Sequence, residues 1–215
     1  MIEHVYTRAA TAPGVDAVVV ATDDARIEHA VRTFGGIVRM TSCDHRTGLD
    51  RIAEVAADLS CEIVVNVQGD EPLIDPQALA EVIAPFARDP DLQMATLRRR
   101  ITDPGEIDNP HVVKVVVDRR DRALYFSRSC VPFVRDARQP VFKHIGLYAY
   151  RLAFVRQLAA LPQTPLELAE SLEQLRALEH GFQICAVETH YDSIGVDTPE
   201  DLERVRRQMT VGTRA

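Results

Sequence analysis

The sequence predicts an α/β fold with a mixed, mainly parallel sheet and a β-rich insertion. Short apolar runs typical of buried strands alternate with helical patterns up to about residue 93. One of these runs, residues 64–67, stops at Gly69 with helical patterns on both sides, which predicts a central strand of a parallel sheet. With 215 residues, 46% of them hydrophobic, the chain can bury a sizeable core.

Composition and charge exclude several classes of protein. The net charge of −7 argues against a nucleic-acid partner, whose binding would depend on phosphate neutralisation. Apolar runs are only a few residues long, so we expect no membrane insertion, and residues 1–4 do not begin a signal peptide. The cysteines lack C-x-x-C spacing and are expected to be reduced thiols, in keeping with a cytoplasmic location: Cys43, Cys61, Cys130 and Cys185.

The first half of the chain alternates helices with strands. Helical spacing predicts a helix over residues 1–10 and another that Asp23 or Asp24 caps and Gly35 ends. A third helix follows Thr47, and Asp75 caps a fourth. The predicted strands between them cover residues 16–21, 37–40 and 62–67.

The second half is richer in strands. One helix is expected over residues 165–180, with Leu168 and Leu172 on its apolar face, and Thr198 and Asp201 form a capping box for the last helix. The predicted strands cover residues 94–97, 112–117, 123–126, 145–150 and 183–187. We expect the β-rich part, residues 94–150, to lie over a ligand crevice or to pair with a second subunit.

Asp70 is the first candidate for chemistry, because ligands of open α/β sheets bind beyond the carboxyl ends of the strands. Its carboxylate suits Mg²⁺, a hard cation that takes one or two carboxylates and fills its other sites with phosphates and water. Gly69-Asp70 is also ordinary turn chemistry, so solvated acids at a strand end are an equal alternative. No G-x-G-x-x-G or P-loop motif is present, so a nicotinamide or P-loop nucleotide site is not expected.

Several blocks occur in the order of one family. They cover residues 20–24, 40–51, 68–72, 124–128, 144–148, 172–176 and 195–199. Together they resemble the 3-deoxy-manno-octulosonate cytidylyltransferases, or CMP-Kdo synthetases, from residue 1 to about residue 208. The resemblance implies one Rossmann-like nucleotidyltransferase domain over residues 1–215 that works as a homodimer. It also implies transfer of CMP from CTP to the sugar acid Kdo, for lipopolysaccharide biosynthesis.

The resemblance also implies roles for individual residues. Asp70 and Asp197 would be the catalytic carboxylates that hold Mg²⁺. Contacts to the sugar acid are implied for Gln68, Arg128, His144, Tyr148, Glu173 and Gln174. Contacts to the nucleotide are implied for Thr22, Asp23, Thr47, Gly48 and Arg51.

Each role has a structural alternative. Arg128 could form a surface ion pair, His144 could be a satisfied structural histidine, and Glu173 could lie on a solvated helix face. Asp197 could be only the residue that precedes a helix cap. An acceptor such as the 8-amino analogue of Kdo, or an inactive remnant that only binds or dimerises, stays open.

The sequence departs from the family in two places. Leu49 replaces a polar residue of the family pattern, which makes contacts near the cytosine less certain. The strand and basic loop with which the family begins are absent before Met1. We expect a start codon assigned too late or a truncated gene, which puts the activity of these 215 residues in doubt. An in-frame upstream extension that encodes the basic loop would favour the enzyme over an inactive remnant.

Overall fold

The computed structural model describes residues 1–45, 47–135 and 139–212. Eight strands and nine α-helices lie in these ranges. The helices are α1 (Ile2–Ala10), α2 (Ala25–Thr33), α3 (Gly48–Ala56), α4 (Pro76–Ile83), α5 (Pro85–Arg88), α6 (Leu152–Ala159), α7 (Pro165–Glu170), α8 (Gln174–Glu179) and α9 (Pro199–Gly212). The strands are β1 (Val19–Thr22), β2 (Ile37–Met40), β3 (Ile63–Asn66), β4 (Met94–Arg100), β5 (Lys114–Val117), β6 (Ala123–Ser127), β7 (Phe142–Arg151) and β8 (Ile184–Glu188).

The strands form two sheets. β1 and β2 pair in parallel as a two-stranded sheet, and the larger sheet has the order β6-β5-β7-β4-β8, with β3 also pairing with β7. β4 and β8 are parallel, whereas β7 is antiparallel to β3, β4 and β5. The predicted α/β fold with a mixed sheet is confirmed, but parallel pairs make up less of it than expected among the described strands. β3 was expected between parallel neighbours, and its described partner is the antiparallel β7.

Helices cover both faces of the larger sheet. Side chains of β4 alternate, so that Met94 joins one buried cluster and Ala95 and Leu97 join the other. The first cluster receives α3, α6 and α8, through side chains such as Phe154, and the second receives α1 and α4. Three layers are therefore built around one sheet.

Residues 94–150 contribute four strands, as predicted, and these strands belong to the larger sheet. β4 and β7 lie in the middle of the larger sheet, while β5 and β6 extend its edge. A β-bulge after Thr96 skips Gly146 and Leu147 in the pairing with β7. The Thr96 hydroxyl lies 2.9 Å from the Leu147 carbonyl oxygen, so it satisfies a backbone acceptor that the bulge frees.

The single helix predicted over residues 165–180 is wrong. Ser171 adopts a left-handed conformation with φ of 53°, which ends α7 before α8 begins. The break turns Leu168 to solvent with 60% of its surface exposed, whereas Leu172 stays buried. An ion pair between Glu167 and Arg176, 2.5 Å and almost fully buried, joins the two short helices.

No helix in the described part of the chain is long and apolar enough to cross a membrane. The four cysteines are free.

Candidate active site

The segments that carry Asp70 and Asp197 lie side by side. The Val196 amide donates to the Asp70 carbonyl oxygen at 3.0 Å. A Cβ added at Gly195 would lie 3.8 Å from Asp70 Oδ2, so Gly195 is in ordinary contact distance of this carboxylate. Asp197 follows directly and is exposed. The fold therefore brings together two carboxylate-bearing segments that are far apart in sequence.

The chemistry of this pair fits Mg²⁺. No cluster of three or more His, Cys, Asp or Glu side chains that could hold a metal occurs within the described ranges. Mg²⁺ needs only one or two carboxylates, because it keeps water and takes substrate phosphates as further ligands. Two acidic side chains at adjoining backbone segments suit that ion, and they do not supply the nitrogen or sulfur ligands that Zn²⁺ prefers.

A buried carboxylate fixes the segment that leads to Asp197. Glu71 is 7% exposed, and its Oε2 accepts a hydrogen bond of 3.0 Å from the Tyr191 hydroxyl. Burial raises the pKa of Glu71. Nearby, the Thr189 hydroxyl donates to Glu81 Oε2 at 2.5 Å. Sequence reasoning missed these contacts, because it gave Glu71 and Tyr191 no role and no periodic pattern links them.

The predicted nucleotide residues at the end of β1 meet α3. Asp24 caps α2, which leaves Asp23 free to accept a 2.9 Å hydrogen bond from Arg51 Nη2. Arg51 Nη1 also contacts the Thr41 hydroxyl, and the Thr41 amide donates to the Thr22 carbonyl at 2.9 Å. The Arg51 hydrogen bond lowers the pKa of Asp23. A nucleotide phosphate would compete with this carboxylate for Arg51.

Thr47, Gly48 and Glu173 meet at the start of α3. Thr47 caps the helix by accepting from the Asp50 amide at 3.2 Å, and Glu173 Oε1 accepts from the Leu49 amide at 3.2 Å. Glu173 is half-buried and accepts from another helix, so it does not lie on a solvated helix face, and burial raises its pKa. The structure places this side chain beside nucleotide residues, although the resemblance assigned it to the sugar acid.

The apolar replacement at Leu49 faces the interior. Its side chain is 1% exposed and packs in the same cluster as Met94 and Phe126. A side chain added at the neighbouring Gly48 would meet no other atom within 4 Å, so the start of the helix is uncrowded. The departure from the family pattern at residue 49 therefore contributes to the core and leaves the exposed helix start open.

His144 and Tyr148 line one face of β7. His144 Nε2 lies 2.9 Å from the Thr96 hydroxyl, which donates to a backbone carbonyl and so accepts from Nε2–H. Burial lowers the pKa of His144 to about 3. The ring contacts Phe126 and Tyr148 with centroids 5.0 and 5.3 Å away. His144 is thus neutral, with Nδ1 as a hydrogen-bond acceptor, and it brings no positive charge.

Arg128 lies just after β6, and its described side-chain hydrogen bonds go to backbone carbonyls. Its Nε donates to the Glu170 carbonyl at 2.8 Å, and its Nη1 donates to the Pro110 carbonyl at 3.2 Å. The Glu170 carboxylate instead accepts from the Arg128 amide and the Ser127 hydroxyl. Among the described residues, no ion pair of Arg128 is present, so the alternative of a surface ion pair lacks support there. The guanidinium is oriented by neutral carbonyls, an arrangement that suits an incoming carboxylate.

The last two predicted substrate residues differ in burial. Gln174 is 4% exposed, and its Nε2 has no hydrogen-bond partner within the described ranges. A buried amide donor without a partner is uncommon and is a natural point of contact for a ligand oxygen. Gln68 is exposed on the loop after β3.

Three of the predicted residues lie on or beside β7: His144, Tyr148 and Glu173. Asn66 pairs with Tyr148, so the chain leaves β3 beside this tyrosine before it reaches Asp70. Burial raises the pKa of Tyr148, and the nearby Glu173 carboxylate adds to the shift. The strand end, β7 and the start of α3 therefore adjoin one another, as expected for a site that holds a nucleotide and an acidic sugar together.

Comparisons with known proteins point to one family. The family described as Cytidylyltransferase matches residues 1–186. Curated 3-deoxy-manno-octulosonate cytidylyltransferases of Solibacter usitatus and Geobacter sulfurreducens are each 54% identical to this chain, over 96% and 97% of it and 83% and 88% of their own lengths. A solved structure of CMP:2-keto-3-deoxy-manno-octonic acid synthetase complexed with CTP superposes with a TM-score of 0.93 at 45% identity, over 98% of this chain and 88% of that one.

Fold and site thus define a nucleotidyltransferase, and the family match makes it a cytidylyltransferase. The chain belongs to the 3-deoxy-manno-octulosonate cytidylyltransferase family.

Proposed function

We propose that this protein transfers CMP from CTP to 3-deoxy-manno-octulosonate (Kdo) and releases pyrophosphate. The observation that carries the proposal is the 3.0 Å hydrogen bond between Val196 and Asp70, which sets the two carboxylate segments together. The names of the relatives and the CTP complex of the similar structure support the choice of substrates.

In this reaction a hydroxyl oxygen of Kdo attacks the α-phosphorus of CTP. The new O–P bond forms as the bond to the β-phosphate oxygen breaks, pyrophosphate leaves with that electron pair, and the hydroxyl proton passes to solvent. Asp70 and Asp197 would hold Mg²⁺, which would neutralise charge between the phosphates and the acidic sugar. The rest of the catalysis is positioning of two anions.

The chain's own residues divide this positioning between the substrates. Arg51 would bind phosphate in exchange for Asp23, and the exposed backbone at Gly48 lies at the start of α3, where amides favour anions. Arg128 would bind the carboxylate of Kdo through its planar guanidinium. His144 would accept from a sugar hydroxyl at Nδ1, since its ring is neutral.

We extend the proposal to a homodimer that works in the cytoplasm. Leu124 and Phe133, in the β-rich part, are 62% and 84% exposed, and such apolar side chains favour contact with a second copy. CTP is a cytoplasmic nucleotide, and the described helices include none that spans a membrane. Light scattering of the purified protein tests the dimer, and a mass of one chain at micromolar concentration would contradict it.

Charge-removing variants of the full-length protein test the function. Asp70→Asn and Asp197→Asn should each abolish pyrophosphate release from CTP and Kdo while the melting temperature stays close to the wild-type value. Asp58→Asn, a change at an exposed residue outside the site, is the matched control and should keep full activity. Near-normal turnover by either site variant would refute the metal role. Turnover with the 8-amino analogue and none with Kdo would show that the analogue, not Kdo, is the acceptor.

A further inference from the structure

A lysine lies buried within an apolar strand and belongs to no predicted site. Lys114 begins β5 and has 0% of its surface exposed. Its Nζ donates to the carbonyl oxygens of Asn109 at 2.9 Å, Val112 at 2.7 Å and Arg128 at 2.6 Å. An ammonium group has three N–H donors, so these acceptors use its whole capacity.

The three carbonyls belong to two segments. One of these, residues 109–112, also orients the Arg128 guanidinium, together with the Glu170 carbonyl of α7. Residues 109–112 provide two of the acceptors and, through Pro110, the carbonyl that binds Arg128 Nη1. The end of β6 provides the third, the carbonyl of Arg128 itself. Lys114 therefore links the backbone of Arg128 to residues 109–112, which also accept a hydrogen bond from Arg128 Nη1.

A lysine that only filled space would not need a position at this junction. A methionine would fill the same volume without a desolvation cost, whereas the buried ammonium is tolerated only because all its hydrogen bonds are made. Burial lowers the pKa of Lys114, although the nearby Asp108 and Glu170 carboxylates favour its charge.

We propose that Lys114 is a positioning residue for the acidic sugar substrate, acting through Arg128. This inference rests on the proposed function, in which Arg128 binds the carboxylate of Kdo. The Lys114 ammonium fixes the position of the Arg128 backbone and thereby the orientation of its guanidinium. Loss of the ammonium allows the guanidinium to rotate away from the carboxylate of Kdo. The nucleotide residues at the end of β1 and the start of α3 are in other elements and are not affected.

Lys143 is the matched control for loss of a buried positive charge. It is the cross-strand partner of Lys114 and is 9% exposed. Its Nζ binds the carboxylates of Glu106 at 2.6 Å and Asp192 at 2.9 Å, and makes no described contact with Arg128.

Calorimetric titration of the full-length protein with Kdo and with CTP, one at a time, tests the proposal. Lys114→Met should weaken Kdo binding about tenfold or more, as Arg128→Ala also should, and leave CTP binding within about twofold. The double variant should bind Kdo no more weakly than Arg128→Ala alone, because both changes remove one interaction. Lys143→Met should leave Kdo binding unchanged. If Lys114→Met does not fold, Lys114→Arg, which keeps the charge but changes the geometry, takes its place with the same expectations.

Equal losses for Kdo and CTP, unchanged Kdo binding, or losses that multiply in the double variant would each overturn the proposal. If Arg128→Ala itself binds Kdo normally, the assigned role of Arg128 fails first. The positioning claim is then decided by the NMR signal of Arg128 Nε–H. It should shift and exchange faster with solvent in Lys114→Met, and an unchanged signal would overturn the claim.

Discussion

Acidification should destabilise the fold through His144. Burial lowers the pKa of its imidazole from 6.5 to about 3. Between these pH values His144 binds a proton in the unfolded chain but stays neutral in the folded protein. The stability due to neutral His144 is therefore complete above about pH 6.5 and is lost as the pH falls towards about 3. A pH of about 5 lies roughly 1.5 units below the pKa of the histidine in the unfolded chain. This difference corresponds to a loss of about 2 kcal/mol in the free energy of unfolding.

Urea unfolding at about pH 7.5 and about pH 5 measures this loss. The wild type should lose about 2 kcal/mol more than His144→Gln over that interval, since glutamine does not titrate. His29→Gln, a change at an exposed position on α2, should follow the wild-type profile. The raised pKa values of Glu71 and Glu173 act in the opposite direction in every variant, so they cancel in the difference. Parallel profiles for the wild type and His144→Gln would refute the reasoning.

Three further substitutions test how the site is supported. Arg176→Met leaves Glu167 buried without its ion-pair partner and should cost about 3 to 5 kcal/mol of unfolding free energy, and a loss below about 1 kcal/mol would contradict this. Thr47→Ala removes the cap of α3 and should cost about 1 kcal/mol in urea unfolding, whereas Thr47→Ser should cost little; equal stability of all three proteins would rule the cap out. Tyr191→Phe removes a donor to Glu71 and should cost about 1 kcal/mol, with faster hydrogen exchange in the segment before Asp197; unchanged exchange would show that this contact does not hold the segment.

Local signals in the sequence predicted the fold best. α1, the Asp75 cap of α4 and the capping box of Thr198 and Asp201 are all present, because each depends on residues only a few positions apart. The pairing of β3 with antiparallel β7 could not be read from its apolar run, since a buried strand looks the same beside either kind of neighbour. The break at Ser171 was missed because leucines continue at helical spacing across it.

The site was predicted through the resemblance rather than through periodicity. Its blocks include His144 and Tyr148 of β7 and Glu173 beside them, but they do not show how these residues support one another. Glu173 was assigned to the sugar acid, and its contact with the Leu49 amide depends on how α8 packs against α3. The sequence analysis gave no role to Lys114 or Glu170. A lysine between Val113 and Val115 in a predicted strand was nevertheless a signal of a buried ammonium group. Tertiary packing, which a single sequence does not show, decides these contacts.

The most direct test of the central claim is phosphorus NMR of the full-length protein mixed with CTP, Kdo and MgCl₂. The signals of CTP should decline while a sugar phosphodiester signal and a pyrophosphate signal grow in equal amounts. Mixtures without Kdo should stay unchanged. Intact CTP in the complete mixture, or pyrophosphate formed without the sugar phosphodiester, would contradict the assignment of CMP transfer to this site.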